Sequence, residues 1–128
     1  MLLEQLARAP HQLAESFTHE ASARSPSCGD EVTVRATVDG PYLQSVTWEG
    51  HGCIVSMAAA EALAGLAPID LVSYRELADR YAASLHADAE PVDYADLQLF
   101  AGIGRFPLRG QCASLAWRAL GTALAEGD

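Results

Sequence analysis

The sequence is poor in basic residues, with 8 Lys and Arg against 17 Asp and Glu and a formal net charge of −9. Proteins that bind nucleic acids or anionic membrane surfaces rely on clustered Lys and Arg, so the charge argues against both kinds of partner. Because the sequence also lacks an apolar run of about 18 residues, we predict no bilayer-spanning helix. The N-terminus does not pair a basic segment with an apolar core, so we expect no secretory signal and a cytoplasmic protein.

Cysteine is scarce as well: the chain has only Cys28, Cys53 and Cys112. An odd number of cysteines without a signal argues against a disulfide framework and favours a reducing compartment. There is no C-x-x-C pair, and the spacings match no zinc-finger pattern. Internal repeats and low-complexity tracts are absent too. At 128 residues, half of them apolar, the chain is predicted to form one domain with a substantial core.

A β-hairpin is the clearest structural prediction. Residues 32–38 alternate apolar and polar side chains, which is typical of a half-buried strand. Asp39-Gly40 follows as a turn signal, because glycine tolerates the positive φ that tight hairpins need. Residues 42–48 then alternate again, with Val46 and Trp48 on one face.

Helices are predicted on both sides of this hairpin. An apolar stripe over residues 2–17, interrupted by Pro10, predicts a kinked helix or two short ones. The Ala-rich residues 54–66 predict a second helix, and Ser73 with Glu76 forms a capping box for a third that ends near His86. Further helices are expected over residues 93–100 and from Cys112 onward, with loops over residues 18–27 and 101–111. The prediction is an α+β fold in which a small antiparallel sheet of about three strands packs against several helices.

The cysteines lie where they could perform metal or sulfur chemistry. Cys28 follows a polar stretch and precedes Asp30, whereas Cys53 and Cys112 are each predicted to open a helix. Helix N-termini favour anions and lower the pKa of a thiol there. Three thiolates and one carboxylate would make a four-coordinate site of the kind that zinc accepts. The alternative interpretation is that the cysteines are small buried hydrophobes and Asp30 an ordinary turn carboxylate.

Three segments resemble the ligand motifs of a known family, the IscU-like iron–sulfur cluster assembly proteins. They occur in the family's order, and the resemblance runs from about Ser25 to Leu120. The segments are SPSCGD at 25–30, EGHGCIVSMA at 49–58 and FPLRGQCASLAW at 106–117. Each motif alone is weak, but the three together are specific.

Within that family the chain is most similar to the SufU branch. Gln111 stands where the IscU branch has a histidine immediately before its last ligand cysteine. The stretch between Cys53 and Cys112 is longer than in IscU proteins, which resembles the SufU insertion, here assigned to residues 67–92. The Leu-Pro-Pro-Val-Lys segment that binds a chaperone in the IscU branch is also absent.

The resemblance implies a site and a function. The implied zinc ligands are Cys28, Asp30, Cys53 and Cys112, and Cys28 is the implied sulfur acceptor. The implied activity is that of a sulfurtransferase: persulfide sulfur is accepted from a SufS-type cysteine desulfurase and passed to downstream Suf scaffold proteins. The implied architecture is one IscU-like domain over residues 1–128 with an N-terminal helical segment at 1–24. A monomer is the default expectation.

Two alternatives remain open at this point. The same ligands could hold a [2Fe–2S] cluster on an assembly scaffold, since thiolates serve both metals. A small structural zinc domain with only a binding role is the other.

His51 could be a further metal ligand, although a partly solvated turn residue is the favoured interpretation. Arg109 could orient Asp30 or a bound sulfur, or simply make a surface ion pair.

Overall fold

A computed structural model of the chain describes residues 7–8, 12–25, 29–85, 97, 100, 103 and 107–126, without the side chains of 107–109 and 126. The described elements are four strands and three helices. The strands are β1 (His19–Arg24), β2 (Glu31–Asp39), β3 (Tyr42–His51) and β4 (Ile69–Asp70), and the helices are α1 (Ile54–Ala64), α2 (Leu71–Ser84) and α3 (Pro107–Glu126). The predicted α+β class is confirmed.

The strands form one antiparallel sheet in the order β1-β2-β3-β4. The predicted hairpin is its centre: Val34 pairs with Trp48, and Asp39 pairs with Tyr42 across the turn. Gly40 in that turn has a φ of 61°, as the Asp-Gly signal predicts.

One face of the hairpin forms the floor of the core. Alternate residues of β2 and β3 are buried there, because successive side chains of a strand point to opposite faces. The buried valines of these two strands are Val32, Val34 and Val46, and burying each of them stabilises the fold by roughly 1.5–3 kcal/mol. Helix α3 packs across β1 and β2, while α1 packs against β3 and α3. Ala58 and Ala59 of α1 are fully buried.

The N-terminal region corrects two predictions. Residues 19–24 were expected within a loop and a helical segment, but they form strand β1 and pair with β2 from His19↔Ala36 to Arg24↔Glu31. Residues 12–17 are not helical. Instead, the backbone of Ala14 binds the outer face of the sheet, through Thr47 Oγ1 at 3.0 Å and Arg35 Nη1 at 2.9 Å. The remainder of the predicted N-terminal helix lies largely outside the described residues.

The helix boundaries also differ from the predictions in two places. The first turn of α2 is capped by Asp70, whose carboxylate accepts a hydrogen bond from the Ser73 backbone N–H at 2.9 Å, so the predicted capping box of Ser73 and Glu76 is wrong. Helix α3 begins at Pro107, so the predicted loop ends earlier than Gln111. Proline is favoured at a first helical position because a backbone N–H there would have no acceptor within the helix, so nothing is lost by its absence. The predicted helix over residues 93–100 lies mostly outside the described residues.

Candidate metal site

Asp30 is a buried carboxylate immediately before β2. Its side chain is only 3% exposed. The backbone around it is fixed, because the Ser25 N–H donates to the Asp30 carbonyl at 2.8 Å and the Gly29 N–H donates to the Ser25 carbonyl at 2.9 Å. A charge at this depth requires hydrogen bonds or a cation, so its partners identify the site.

Cys53 is the N-cap residue of α1, as predicted. Its backbone is extended, its side chain is exposed, and the thiol makes no capping hydrogen bond. The preceding Gly52 has a φ of 148°, and a Cβ at that position would lie 2.4 Å from Cγ of Asp30. Glycine is therefore required here for two reasons: its backbone conformation, and the close approach of the Asp30 side chain.

Cys112 approaches the same carboxylate from α3. The thiol is buried and donates to Oδ2 of Asp30 at 3.3 Å. Since α3 begins at Pro107, Cys112 lies in its second turn. The prediction that Cys112 opens the helix is wrong. The helix dipole acts mainly within the first turn, so it cannot be invoked to lower the pKa of this thiol.

Three of the four predicted ligands meet at one point. The ligand atoms of Asp30, Cys53 and Cys112 all lie within 4.8 Å of one another, and this is the one such group of three His, Cys, Asp or Glu side chains in the described part of the chain. Cys28, the fourth predicted ligand, lies outside the described residues. Two thiols and a carboxylate at these distances suit a borderline-soft cation such as zinc.

Hydrogen bonds keep Asp30 ionised. Burial alone would raise the pKa of its carboxyl, but hydrogen bonds from the Ser56 hydroxyl, the Cys112 thiol and Cys53 outweigh it and lower the pKa from 3.8 to about 2. The carboxylate is therefore charged at neutral pH and available to a cation. Three separate elements contribute to this effect, since Asp30 precedes β2 while its partners belong to α1 and α3.

Ser56 is the contact that the sequence analysis missed. It is fully buried in the first turn of α1, and its hydroxyl donates to Oδ2 of Asp30 at 2.6 Å. Its Oγ also lies 3.7 Å from Sγ of Cys53. The signal was present in the spacing, because residues three apart on a helix share a face and Ser56 follows Cys53 by three.

Of the two further candidates, His51 and Arg109, the structure describes only the side chain of His51. His51 is the last residue of β3 rather than the predicted turn residue; its side chain is exposed, and its Nε2 lies 3.8 Å from Oε1 of Glu31. It is not a member of the three-residue group. The side chain of Arg109 lies outside the described residues. Gln111, which precedes Cys112, is exposed on α3.

Comparison with known proteins shows the family of the chain. The family model described as "NifU-like N terminal domain" matches residues 10–126. The chain belongs to this family. The predicted resemblance to IscU-like proteins is thereby confirmed, and the α+β fold is the fold of this family.

Individual relatives fall on both sides of the SufU and IscU division. The zinc-dependent sulfurtransferase SufU of Bacillus subtilis is 31% identical over 109 residues, covering 80% of this chain and 74% of that protein. The iron–sulfur cluster assembly scaffold protein IscU of Streptococcus pyogenes is 27% identical over 122 residues, covering 90% and 75%. This family member therefore has curated relatives named for sulfur transfer and for cluster assembly.

A solved structure matches the fold over nearly the whole chain. It is the crystal structure of a putative iron–sulfur cluster assembly scaffold protein for the SUF system from Fervidobacterium islandicum AW-1. Its TM-score is 0.81 at 24% identity, and the match covers 95% of this chain and 93% of that one. Among the described residues of this chain, no helix has the length and apolar character needed to cross a membrane.

Proposed function

We propose that this chain is a zinc-dependent sulfur acceptor in iron–sulfur cluster biogenesis. It takes persulfide sulfur from a SufS-type cysteine desulfurase and passes it to downstream Suf scaffold proteins. The observation that carries this proposal is the convergence of the Asp30, Cys53 and Cys112 ligand atoms within 4.8 Å. The 31% identity to a relative named a zinc-dependent sulfurtransferase supports it.

The donor set fits zinc with Cys28 as the fourth ligand. Cys28 precedes Asp30 by two residues, so chain connectivity keeps their Cα atoms within about 7 Å of each other. Structural and catalytic zinc sites are usually four-coordinate with Cys, His, Asp or Glu ligands. When bound, zinc would keep the thiols of Cys28, Cys53 and Cys112 deprotonated.

Cys28 is the proposed nucleophile. Its thiolate attacks the terminal sulfur of the persulfide on the desulfurase. The S–S bond of that persulfide breaks, a new S–S bond forms on Cys28, and the desulfurase cysteine leaves as a thiolate. Cys112 is buried and bonded to Asp30, which suits a permanent ligand better than an exchanging thiol. Asp30 and Cys53 are the other two ligands that would stay on the zinc while Cys28 reacts.

The test combines metal content with sulfur transfer. We expect about one zinc per chain and faster alanine release when the protein is added to a SufS-type desulfurase turning over cysteine. Mass spectrometry of tryptic peptides should place one extra sulfur atom on Cys28. The variant Cys28→Ser should lose both stimulation and the added sulfur.

Cys53→Ser is the informative comparison, because Cys53 is the exposed thiol of the described pair. Sulfur that accumulates on Cys53 while Cys28→Ser reacts normally would overturn the assignment of the acceptor. Zinc at one per chain with no stimulation of the desulfurase would overturn sulfur transfer and leave a structural zinc domain.

The second candidate is a scaffold that assembles a [2Fe–2S] cluster on the same four ligands. It is favoured by the relatives named as IscU scaffolds and by the soft thiol donors, which serve iron as well as zinc. Colour and iron content separate the two functions, since a cluster-bearing protein is brown and a zinc protein is colourless. Gln111 in place of the IscU-type histidine is the residue that supports sulfur transfer.

A further inference from the structure

Ser56 is a buried hydroxyl in a helix that is otherwise apolar where it is buried. The buried residues of α1 around it are Val, Met, Ala and Leu. A hydroxyl with no exposed surface costs free energy unless it is hydrogen-bonded. Ser56 therefore needs an acceptor, and the acceptor that the structure provides is the carboxylate of Asp30, 26 positions away in the sequence.

This hydrogen bond holds the oxygen that faces the thiols. Oδ2 of Asp30 accepts from Ser56 Oγ at 2.6 Å and from Cys112 Sγ at 3.3 Å. A thiol must lose its proton to bind a metal, so the Cys112 donor to Oδ2 disappears on metal binding. Ser56 is not a metal ligand, so its hydroxyl keeps its proton and can still donate a hydrogen bond to Oδ2 when metal is bound.

The carboxylate also lies close to the backbone at Gly52. A Cβ on Gly52 would lie 2.4 Å from Cγ and 2.5 Å from Oδ1 of Asp30, so the chain at Gly52 is packed directly against the carboxylate. The Ser56 hydroxyl holds Oδ2 and the chain at Gly52 lies near Oδ1, so both contacts limit rotation of the carboxylate. Of these two contacts, only the one from Ser56 is a hydrogen bond that a conservative substitution can delete.

We propose that Ser56 is a positioning residue for the metal site, acting through Asp30 by directing Oδ2 at Cys53 and Cys112. This inference rests on the proposed function, because it assumes that the cluster binds a metal. Hydrogen-bond partners of metal ligands orient those ligands, and their loss typically lowers metal affinity about 10–100-fold. Ser56 would hold no metal itself.

A purely structural role for Ser56 predicts a different outcome. If the hydroxyl served only to satisfy a buried carboxylate, its removal would destabilise the metal-free fold. The folded protein would then bind metal as tightly as before. The two roles are separated by measuring metal affinity and unfolding independently.

The experiment uses the full chain with Zn²⁺ in competition titrations and Co²⁺ as a spectroscopic probe. We expect Ser56→Ala to weaken Zn²⁺ binding about 10–100-fold and to change the Co²⁺ ligand-field bands, because the carboxylate loses its orientation. Ser84→Ala is the matched control. Ser84 is also buried, at 2% exposure, but its hydroxyl donates to the Tyr81 carbonyl at 2.7 Å within α2.

A double-mutant cycle tests whether Ser56 acts through Asp30. In the Asp30→Ala background, Ser56→Ala should change Zn²⁺ affinity by less than about twofold, because the group it positions is gone. The same loss in both backgrounds would overturn the proposal. So would an unchanged affinity and an unchanged Co²⁺ spectrum in the single Ser56→Ala variant.

Failure of the proposed function gives a different result. If the wild-type chain binds neither Zn²⁺ nor Co²⁺, the metal site and the role of Ser56 are both overturned. If the wild type binds metal but does not stimulate a desulfurase, sulfur transfer fails while the Ser56 comparison still decides the positioning role. Circular dichroism of each variant confirms that the affinities refer to folded protein.

Discussion

The first turns of α1 and α2 each engage an aspartate, but the two carboxylates come from different places. Asp70 is the N-cap of α2 and accepts a hydrogen bond from the Ser73 backbone three residues on, at 2.9 Å. Asp30 reaches α1 from the start of β2 and accepts from the Ser56 side chain. The N-cap of α1 itself is Cys53, whose thiol makes no capping hydrogen bond.

This difference separates a local stabilising contact from one that belongs to the proposed metal site. Asp70 supplies what any helix start needs, an acceptor for an unpaired backbone N–H. At α1 the carboxylate is brought in from another element, which leaves the Cys53 thiol free of capping and places both groups beside Cys112. Burying a charge costs free energy, and a local cap would stabilise the start of α1 without that cost. A buried carboxylate beside two thiols is therefore best explained by a cation that binds there.

The largest effect is expected from Gly52→Ala at the start of α1. The new Cβ would lie 2.4 Å from Cγ of Asp30 and would occupy a backbone conformation that L residues rarely adopt. Overpacking and the positive φ together should cost roughly 2–5 kcal/mol in free energy of unfolding. Because the Asp30 carboxylate must move, Zn²⁺ affinity should fall by about 100-fold or more. Denaturant unfolding and zinc titration measure both effects.

Gly40→Ala is the control that isolates the backbone term. Gly40 also has a positive φ, 61°, but a Cβ there would meet no atom within 4 Å. Its cost should be about 1–2 kcal/mol, with unchanged metal affinity. Equal losses of stability in the two variants, with normal zinc binding in Gly52→Ala, would refute the role of the close approach between Gly52 and Asp30.

The second prediction compares the two aspartates directly. Asp30→Ala leaves the buried Ser56 hydroxyl without its acceptor, which should cost about 1–3 kcal/mol in the metal-free protein. It also removes a ligand atom, so Zn²⁺ affinity should drop. Asp70→Ala should lower the melting temperature by a smaller amount and leave zinc binding at the wild-type level. A loss of zinc affinity in Asp70→Ala would contradict the separation between the two helix starts.

The sequence predicted the elements that local patterns determine. The hairpin of β2 and β3 follows from alternation and from the Asp39-Gly40 turn, and α1 follows from its alanine content. Strand β1 was missed because its sequence, HEASAR, has no strong β-formers and is held by pairing with β2. The start of α3 differs from the prediction because the Gly and Pro residues before Cys112, which are typical of a loop, lie within or at the start of the helix. Pro107 in fact occupies a favoured first helical position.

The candidate site was predictable in its residue types but not in its packing. The motif resemblance implied Cys28, Asp30, Cys53 and Cys112 as ligands. No spacing along the chain predicts that the atoms of the last three, from separate elements, lie within 4.8 Å of one another. Ser56 has one signal in the sequence, its position three residues after Cys53, but that spacing does not reveal that its acceptor is the distant Asp30. Long-range contacts of this kind arise from the tertiary packing of α1 and α3 on the sheet.

The smallest expected effect is the pH dependence of the cap on α2. Hydrogen bonds from the backbone and side chain of Ser73 hold the pKa of Asp70 below its usual value of 3.8. A carboxylate with a lowered folded-state pKa contributes stability above its unfolded pKa and loses it as the pH falls through the folded value. The difference in melting temperature between wild type and Asp70→Asn should therefore be constant near neutral pH and shrink as the pH drops below about 3.8. Thermal unfolding of metal-free protein followed by circular dichroism measures this difference. A gap that widens as the pH falls would show that the Asp70 charge is not what caps α2.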